Sequence, residues 1–461
     1  MYFESFYLGC LAHASYLFGS DGEAAVVDPQ RDVEIYLDAA RKQGLEIRHI
    51  FETHLHADFV SGHKELAART GATIYIGQAA GAMFPHVAVS DGFEVRMGQV
   101  RVMALETPGH TTESCCFVVA EESSSAPWAV LTGDTLFIGD VGRPDLSTTH
   151  TPQELAGLLY DSLHGKLMTL PDEVLVYPAH GAGSLCGRNM RAERSSTIGT
   201  ERLTSYALQI KDRDEFVRQM TSNLPARPDY FLEDAAINRA GATALSELAV
   251  LQSISPAELK KLLENGTVAL DVRPADQFAA GHVPGSINIA LSGQFASWAG
   301  AVLGLSSRPV LIADTKDQVS EARTRLARVG IEELGGYLEG GVEEWKRAGF
   351  ELAQVPQMTV QELSARLEDG ALLVLDVRRQ GEWDAGHIEG ADWYPLDRFK
   401  AALPPLERSA TIAVHCKGGY RSMIAASLLQ RSGYSVINVI GGFDAWEQAQ
   451  RPKAATAAAG A

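Results

Sequence analysis

The second half of this chain repeats itself, and the repeat limits what it can fold into. Leu270-Asp271-Val272-Arg273 returns as Leu375-Asp376-Val377-Arg378, and Gly281-His282 returns as Gly386-His387, each 105 residues on. Gly340-Gly341-Val342-Glu343-Glu344-Trp345 returns as Gly441-Gly442-Phe443-Asp444-Ala445-Trp446, 101 residues on. Such self-similarity marks two copies of one structural unit. Each copy alternates short apolar runs, such as Pro309-Val310-Leu311-Ile312-Ala313 or Thr411-Ile412-Ala413-Val414, with helical stretches at 319–329 and 422–432. That alternation predicts a small α/β unit with a mainly parallel sheet and its function past the carboxyl ends of the strands. The copies span 255–352 and 356–450, leaving 1–250 as a different domain and 451–461 as a flexible Ala-rich tail.

A length of 461 residues exceeds what one hydrophobic core serves, so a multidomain protein is expected. A net charge of −18 disfavours nucleic acid and anionic membranes as partners. The N-terminus has no cationic leader, and no window is apolar for long enough to span a bilayer. Five cysteines, an odd number, do not make a disulfide scaffold, which fits a reducing cytoplasm.

Over the first 250 residues, apolar strands end in polar residues. Ala24-Ala25-Val26-Val27 ends in Asp28, and the run from Ile47 to Thr53 leads into His54-Leu55-His56-Ala57-Asp58-Phe59. The run from Ala129 to Gly133 ends in Asp134, and Leu175-Val176-Tyr177-Pro178-Ala179 ends in His180. His110 lies in a turn set by Pro108 and Gly109. Helices are expected over 62–68 and 151–160, the second opening on a Thr151 cap with Pro152 in its first turn. From 190 to 250 the composition is helical and charged, broken at 222–228. Six polar candidates at strand ends, His54, His56, Asp58, His110, Asp134 and His180, point to a metal centre. His86 and His164 read as ordinary structural histidines, and His63 as a residue on a helix surface.

Cys416 occupies a different kind of setting, His415-Cys416-Lys417-Gly418-Gly419-Tyr420-Arg421-Ser422, between a strand and a helix. There a thiol faces backbone N–H groups and a helix N-terminus, both of which favour the thiolate. Gly418 and Gly419 let the backbone curl around one atom, and Lys417 and Arg421 add positive charge. The equivalent stretch of the first copy starts with Asp314 and has no arginine five residues on, so it cannot carry sulfur. Cys10, Cys115 and Cys116 read as core residues. Cys186 lies in the loop leaving His180.

Residues 1–250 resemble the metallo-β-lactamase superfamily and, within it, the branch holding glyoxalase II and the persulfide dioxygenases. The hydrolases carry His-x-His-x-Asp-His and bind two zinc ions; here Phe59 stands at the last position, so the second site loses a nitrogen ligand. The stretch Leu136 to Asp145 is a second feature in common with the dioxygenases. The repeated Asp-Val-Arg, Gly-His and Gly-Gly-x-x-x-Trp elements and the Cys416 loop resemble rhodaneses, with 255–352 lacking the active loop. The implied fold is an αββα sandwich followed by two rhodanese-like α/β domains.

The resemblance implies that one Fe(II) is held by His54, His110 and Asp134, with His56, Asp58 and His180 in its outer shell; zinc is a possible substitute. Two imidazoles and one carboxylate form the facial triad of mononuclear iron and leave three positions open. The implied reaction is oxidation of a persulfide of glutathione, coenzyme A or a similar thiol by O2 to sulfite and thiol. Cys416 would make or use thiosulfate, with Lys417, Gly418, Gly419, Tyr420 and Arg421 around it. Cys186 matches an extra cysteine of multidomain persulfide dioxygenases and is a candidate for catalysis or sulfur relay. Arg143 suits either a substrate carboxylate or an ion pair with Asp145. The alternatives are a zinc-dependent thioester hydrolase of the glyoxalase II type with an attached sulfurtransferase, and a non-enzymatic sulfur sensor. A homo-oligomer is compatible with all of them.

Overall fold

The structure is a computed structural model that describes residues 1–461 except 125, 223, 225, 369–371 and 455–461. Two compact units emerge, one comprising residues 1–248 with 327–330 and the other the remaining residues from 249 on.

The first unit is built on two six-stranded sheets. Alternation along their strands sends one set of side chains inward, so Phe18, Val27, Phe51, Val102, Phe117 and Leu131 meet between the sheets in one buried core. The outer faces are apolar too. Leu17, Val26, Ile50 and Ile74 pack with Tyr36 and Leu66 of the helices Glu34–Gln43 and His63–Thr70, and Val118, Val130 and Val176 pack with Leu159 and Leu163 of the helix Pro152–Gly165. The result is the expected αββα sandwich. Helix Pro152–Gly165 begins as its sequence predicts, with Thr151 and Glu154 forming a reciprocal capping box and Pro152 in the first turn.

The second unit holds two five-stranded, all-parallel sheets, one per repeat. The repeated motifs do the same physical job twice. Arg273 forks onto Asp271 and reaches the Gly281 carbonyl at 2.9 Å; Arg378 forks onto Asp376 and reaches the Gly386 carbonyl at 2.7 Å. Both pairs are buried, so each guanidinium neutralises a carboxylate at a strand end and ties down the turn before the Gly-His element. His282 stacks on Phe278 and His387 on Trp383, with ring centroids 3.8 and 3.6 Å apart. Trp345 and Trp446 each donate their indole N–H to a backbone carbonyl six residues on.

Two expectations need correction. The tail does not begin at 451: the Trp446 bond to the Pro452 carbonyl holds the chain against its domain, and Lys453–Ala454 pairs antiparallel with His387–Ile388. The rest of the expected tail, 455–461, lies outside the described residues, as do 223 and 225 of the expected break at 222–228. His63 is not on a helix surface. It is the first residue of its helix, fully buried, with Phe84 packed on its ring at 4.5 Å and Glu52 Oε1 3.6 Å from Nδ1. Gly62, just before it, lies against the Gln30 carbonyl oxygen, which a Cβ there would meet at 2.4 Å. Burial pushes the His63 imidazole down to about 3 and keeps it neutral.

Candidate metal centre and cysteine loop

Strand ends supply the pocket of the first unit. Thr53 and His54 follow strand Glu46–Glu52, Asp134 follows Ala129–Gly133, His180 follows Leu175–Pro178, and His110 lies between Val100–Glu106 and Cys115–Glu121. Ligating atoms of His54, His110 and Asp134 lie within 4.8 Å of one another, and all three side chains are buried. Nε2 of His110 and of His54 lie 3.3 and 3.9 Å from Asp134 Oδ2. Donors at adjacent corners of a metal with bonds of about 2.1 Å stand about 3 Å apart, so a small contraction would seat an ion.

Hydrogen bonds behind these atoms fix which of them face the pocket. The Thr53 hydroxyl gives its one proton to Asp28 Oδ2 at 2.8 Å, so at 3.0 Å it can only accept from His54 Nδ1. His110 Nδ1 lies 3.0 Å from the Arg143 carbonyl, which also only accepts. Both imidazoles are thereby set with the proton on Nδ1 and the lone pair on Nε2. Burial lowers the proton affinity of both and holds them neutral, as a metal requires. Asp134 spends Oδ1 on His180 Nδ1 at 2.7 Å and leaves Oδ2 toward the two imidazoles. His54 Nε2, His110 Nε2 and Asp134 Oδ2 are buried without a hydrogen-bond partner among the described residues. Three orphaned donor atoms facing one point fit a metal ion.

The other candidates divide around that point. His180 is held by carboxylates on both sides, Asp134 on Nδ1 and Asp58 at 2.9 Å on Nε2. Burial opposes its charge, but the two carboxylates outweigh burial and raise its proton affinity well above the usual histidine range. Burial likewise opposes the Asp134 carboxylate, and His180 and His110 outweigh it to hold Asp134 well below its ordinary value. His56 Nε2 lies 3.1 Å from Asp28 Oδ1 and 3.9 Å from Glu52 Oε2, in a second buried cluster. Asp58, His180 and Cys186 form a third. Burial, then Asp58 and Asp134, push the Cys186 thiol well up, so it is protonated.

Phe59 is fully buried, its ring centroid 4.4 Å from that of His56 and 4.1 Å from that of His13. Arg143 is engaged by Asp145 through two bonds of 2.6 and 2.7 Å and reaches the Leu185 carbonyl, so its ion pair is the partner present. His86 is exposed, and His164 packs on the Tyr160 ring within helix Pro152–Gly165, with centroids 4.2 Å apart.

Sequence reasoning missed His13, which heads the strand His13–Ser20 and is fully buried beside His56, Phe59 and His180. A histidine opening an apolar strand carries no spacing signal. Asp28 was legible as a strand-end residue, but its bond to Thr53 crosses 25 residues of chain and leaves no local pattern.

In the second unit Cys416 follows strand Thr411–His415, and Gly419, with φ of +106°, caps the helix Tyr420–Arg431. The Gly419 N–H donates to Cys416 Sγ at 3.1 Å, and Ser422 Oγ lies 3.7 Å from the sulfur. Arg421 is held by Glu382 through two bonds of 2.6 and 2.7 Å. Lys417 and Gly418 are exposed at the mouth. In the first copy Asp314 stands exposed at the same place, beyond strand Val310–Ile312, with its N–H bound to Gln318.

Comparison with known proteins assigns the domains that carry these residues. Residues 8–180 match the metallo-beta-lactamase superfamily, and residues 255–348 and 359–449 each match the rhodanese-like domain. Human mitochondrial persulfide dioxygenase ETHE1 is 31% identical over 220 residues, covering 46% of this chain and 77% of that protein. The chain belongs to the metallo-beta-lactamase superfamily. Its superfamily domain is homologous to ETHE1 persulfide dioxygenase and is followed by two rhodanese-like domains. A solved metallo-beta-lactamase structure from Staphylococcus aureus superposes with a TM-score of 0.66 at 31% identity, covering 73% of this chain and 98% of that one. A hydroxyacylglutathione hydrolase of Rhodospirillum rubrum is 38% identical over 162 residues, 34% of this chain and 57% of that protein.

Proposed function

We propose that this superfamily member oxidises low-molecular-weight thiol persulfides with O2 at one Fe(II), and that Cys416 transfers sulfane sulfur to or from thiosulfate. His54, His110 and Asp134 would hold the iron, with His56, Asp58 and His180 behind them. Bound there, iron supplies the redox chemistry that zinc lacks, together with open positions for O2 and a sulfur anion. Overall, one persulfide, one O2 and one water give one thiol, one sulfite and two protons. Sulfite can then take the outer sulfur from persulfidated Cys416, leaving thiosulfate and the free thiol.

The observation that carries this reading is Phe59, buried in the pocket wall where the two-zinc hydrolases place an imidazole. A phenyl ring offers no lone pair. His180 holds Asp134 on Nδ1 at 2.7 Å, and its Nε2 lies 2.9 Å from Asp58 Oδ2. Around the pocket, this chain's residues orient the ligands. Thr53 and the Arg143 carbonyl fix the tautomers of His54 and His110, while the buried rings of Phe59 and Phe137 lie against His56 and His180.

Cys416 would carry sulfur in the second rhodanese-like domain, with the Gly419 N–H on its Sγ and Arg421 adding positive charge. Lys417 and Tyr420 flank the mouth. Cys186 lies with Asp58 and His180 and would serve as a relay only after losing its proton. All five cysteines are free, which suits a reducing cytoplasm as the setting; no described helix is long and apolar enough to cross a membrane.

The Asp58–His180–Cys186 cluster and the match to the R. rubrum hydrolase favour a second reading, zinc-dependent hydrolysis of a glutathione thioester. Oxygen uptake and sulfite release on glutathione, coenzyme A and cysteine persulfides, run beside thioester hydrolysis on the same preparation, separate the two. Stoichiometric O2 consumption by iron-loaded protein supports the dioxygenase. Thioester hydrolysis by the zinc form with no O2 consumed overturns it.

A further inference from the structure

The Cys416 loop runs directly into helix Tyr420–Arg431, and one face of that helix is fastened along its length to the preceding, nucleophile-free copy. At its start the Tyr420 hydroxyl donates to the Ala290 carbonyl at 2.9 Å. Midway, the Asn288 N–H donates to the Ser427 hydroxyl at 3.1 Å. At its end Gln430 Oε1 lies 3.0 Å from His282 Nε2, and Arg431 donates to the Gly285 carbonyl at 2.6 Å. Positions 420, 427 and 431 fall on one stripe of an α-helix, since three- and four-residue steps share a face.

The Tyr420 ring also neighbours the first copy: a Cβ at Gly293, whose φ is +65°, would meet it at 3.4 Å, an ordinary van der Waals distance. Arg421, the next residue, is held instead by Glu382 of its own copy. The two residues that follow Gly419 are therefore gripped from different copies. Gly419 is the residue whose N–H points at Cys416 Sγ.

We propose that the nucleophile-free copy positions the Cys416 loop, and that the Tyr420–Ala290 hydrogen bond fixes the direction of the Gly419 N–H toward the sulfur. The inference rests on the reading of Cys416 as a sulfur carrier. In that reaction the Cys416 thiolate attacks the outer sulfur of thiosulfate. A new S–S bond forms as the thiosulfate S–S bond breaks, and sulfite leaves with the electron pair. An acceptor nucleophile then attacks the outer sulfur and returns the thiolate to Cys416. Both steps have sulfur anion at Cys416, so a misdirected amide is felt in turnover and in the intrinsic reactivity of the thiol. Tyr420 is a positioning residue in this scheme, acting through Gly419.

The test uses the full chain with thiosulfate as donor and cyanide as acceptor, alongside iodoacetamide labelling of Cys416 read by mass spectrometry. Tyr420→Phe removes only the hydroxyl. The expected result is a fall of about 3- to 10-fold in kcat and in the Cys416 labelling rate, the size of one hydrogen bond, with KM for thiosulfate and the melting temperature little changed. Ser427→Ala cuts the same interface away from the loop, and is expected to lower the melting temperature while leaving kcat and labelling at wild-type values. Wild-type kcat and labelling in Tyr420→Phe, or equal loss of both in the two variants, would overturn the positioning role. Cys416→Ser distinguishes the underlying reading: if it retains sulfur transfer, Cys416 is not the carrier, whatever Tyr420 does.

Discussion

Replacing Thr53 by valine isolates the hydrogen bond that prepares His54 for a metal. Valine keeps the shape of threonine and removes one hydroxyl, which now bridges Asp28 Oδ2 at 2.8 Å and His54 Nδ1 at 3.0 Å. Asp28 retains the Thr53 backbone N–H on Oδ1 at 2.7 Å, so its loss is partial. His54 Nδ1 loses the acceptor that Thr53 supplies, and a buried N–H without one costs about 1–3 kcal/mol. The imidazole can escape that cost by moving its proton to Nε2, the atom that faces the pocket, and a protonated Nε2 cannot bind a metal. Loss of an orienting partner typically weakens metal affinity by about 10- to 100-fold, or about 1.4–2.7 kcal/mol, which falls within the same range. Competition of the Thr53→Val protein against a chelator of known affinity measures this, with the melting temperature of the metal-free protein as the control for folding. An affinity within about threefold of wild type would refute the argument that Thr53 sets the His54 tautomer.

Phe59→His returns an imidazole to the pocket wall, and zinc-loaded protein should then hold about two ions per chain by elemental analysis; an unchanged ratio would mean that Phe59 does not limit the site. Glu382→Gln removes the carboxylate that holds Arg421. Burial opposes the Glu382 charge, but Arg421 outweighs it and holds the carboxyl below its ordinary value. A carboxylate with a folded-state value below its unfolded one stabilises fully above about pH 4.5 and loses that stabilisation as pH falls through the folded value. Denaturant melts should therefore show wild type about 1 kcal/mol more stable than Glu382→Gln at pH 7, discounted for solvent screening. That gap should narrow as pH falls from about 4.5 through the lowered folded-state value; a gap that does not change with pH would deny the pairing this role.

Much of this arrangement was legible in the sequence where a residue's job is local. Asp-Val-Arg repeats because the arginine must turn back on an aspartate two residues earlier, and Gly-His follows because its carbonyl takes the same guanidinium. His54, Asp134 and His180 stood out as candidates because each follows an apolar run and His110 because a Pro-Gly turn presents it, whereas the choice of His54, His110 and Asp134 as the ligands came from the family resemblance. Residues whose role depends on distant partners stayed hidden. His63 looked like a surface residue because nothing near it in sequence announces Phe84 above it or Glu52 beneath it. Lys453–Ala454 looked like tail because an Ala-rich stretch has no side-chain pattern that reveals backbone pairing with His387–Ile388. The face of helix Tyr420–Arg431 that meets the first copy is mixed in polarity, so amphipathicity could not mark it as an interface.

The central claim is a single redox-active ion on three protein ligands, and the metal content of iron-reconstituted wild-type protein tests it most directly. One iron per chain, lost together with O2 uptake when Asp134→Asn is introduced, is the predicted result. Two tightly held ions per chain, with Asp58, His180 and Cys186 needed for the second, would contradict it.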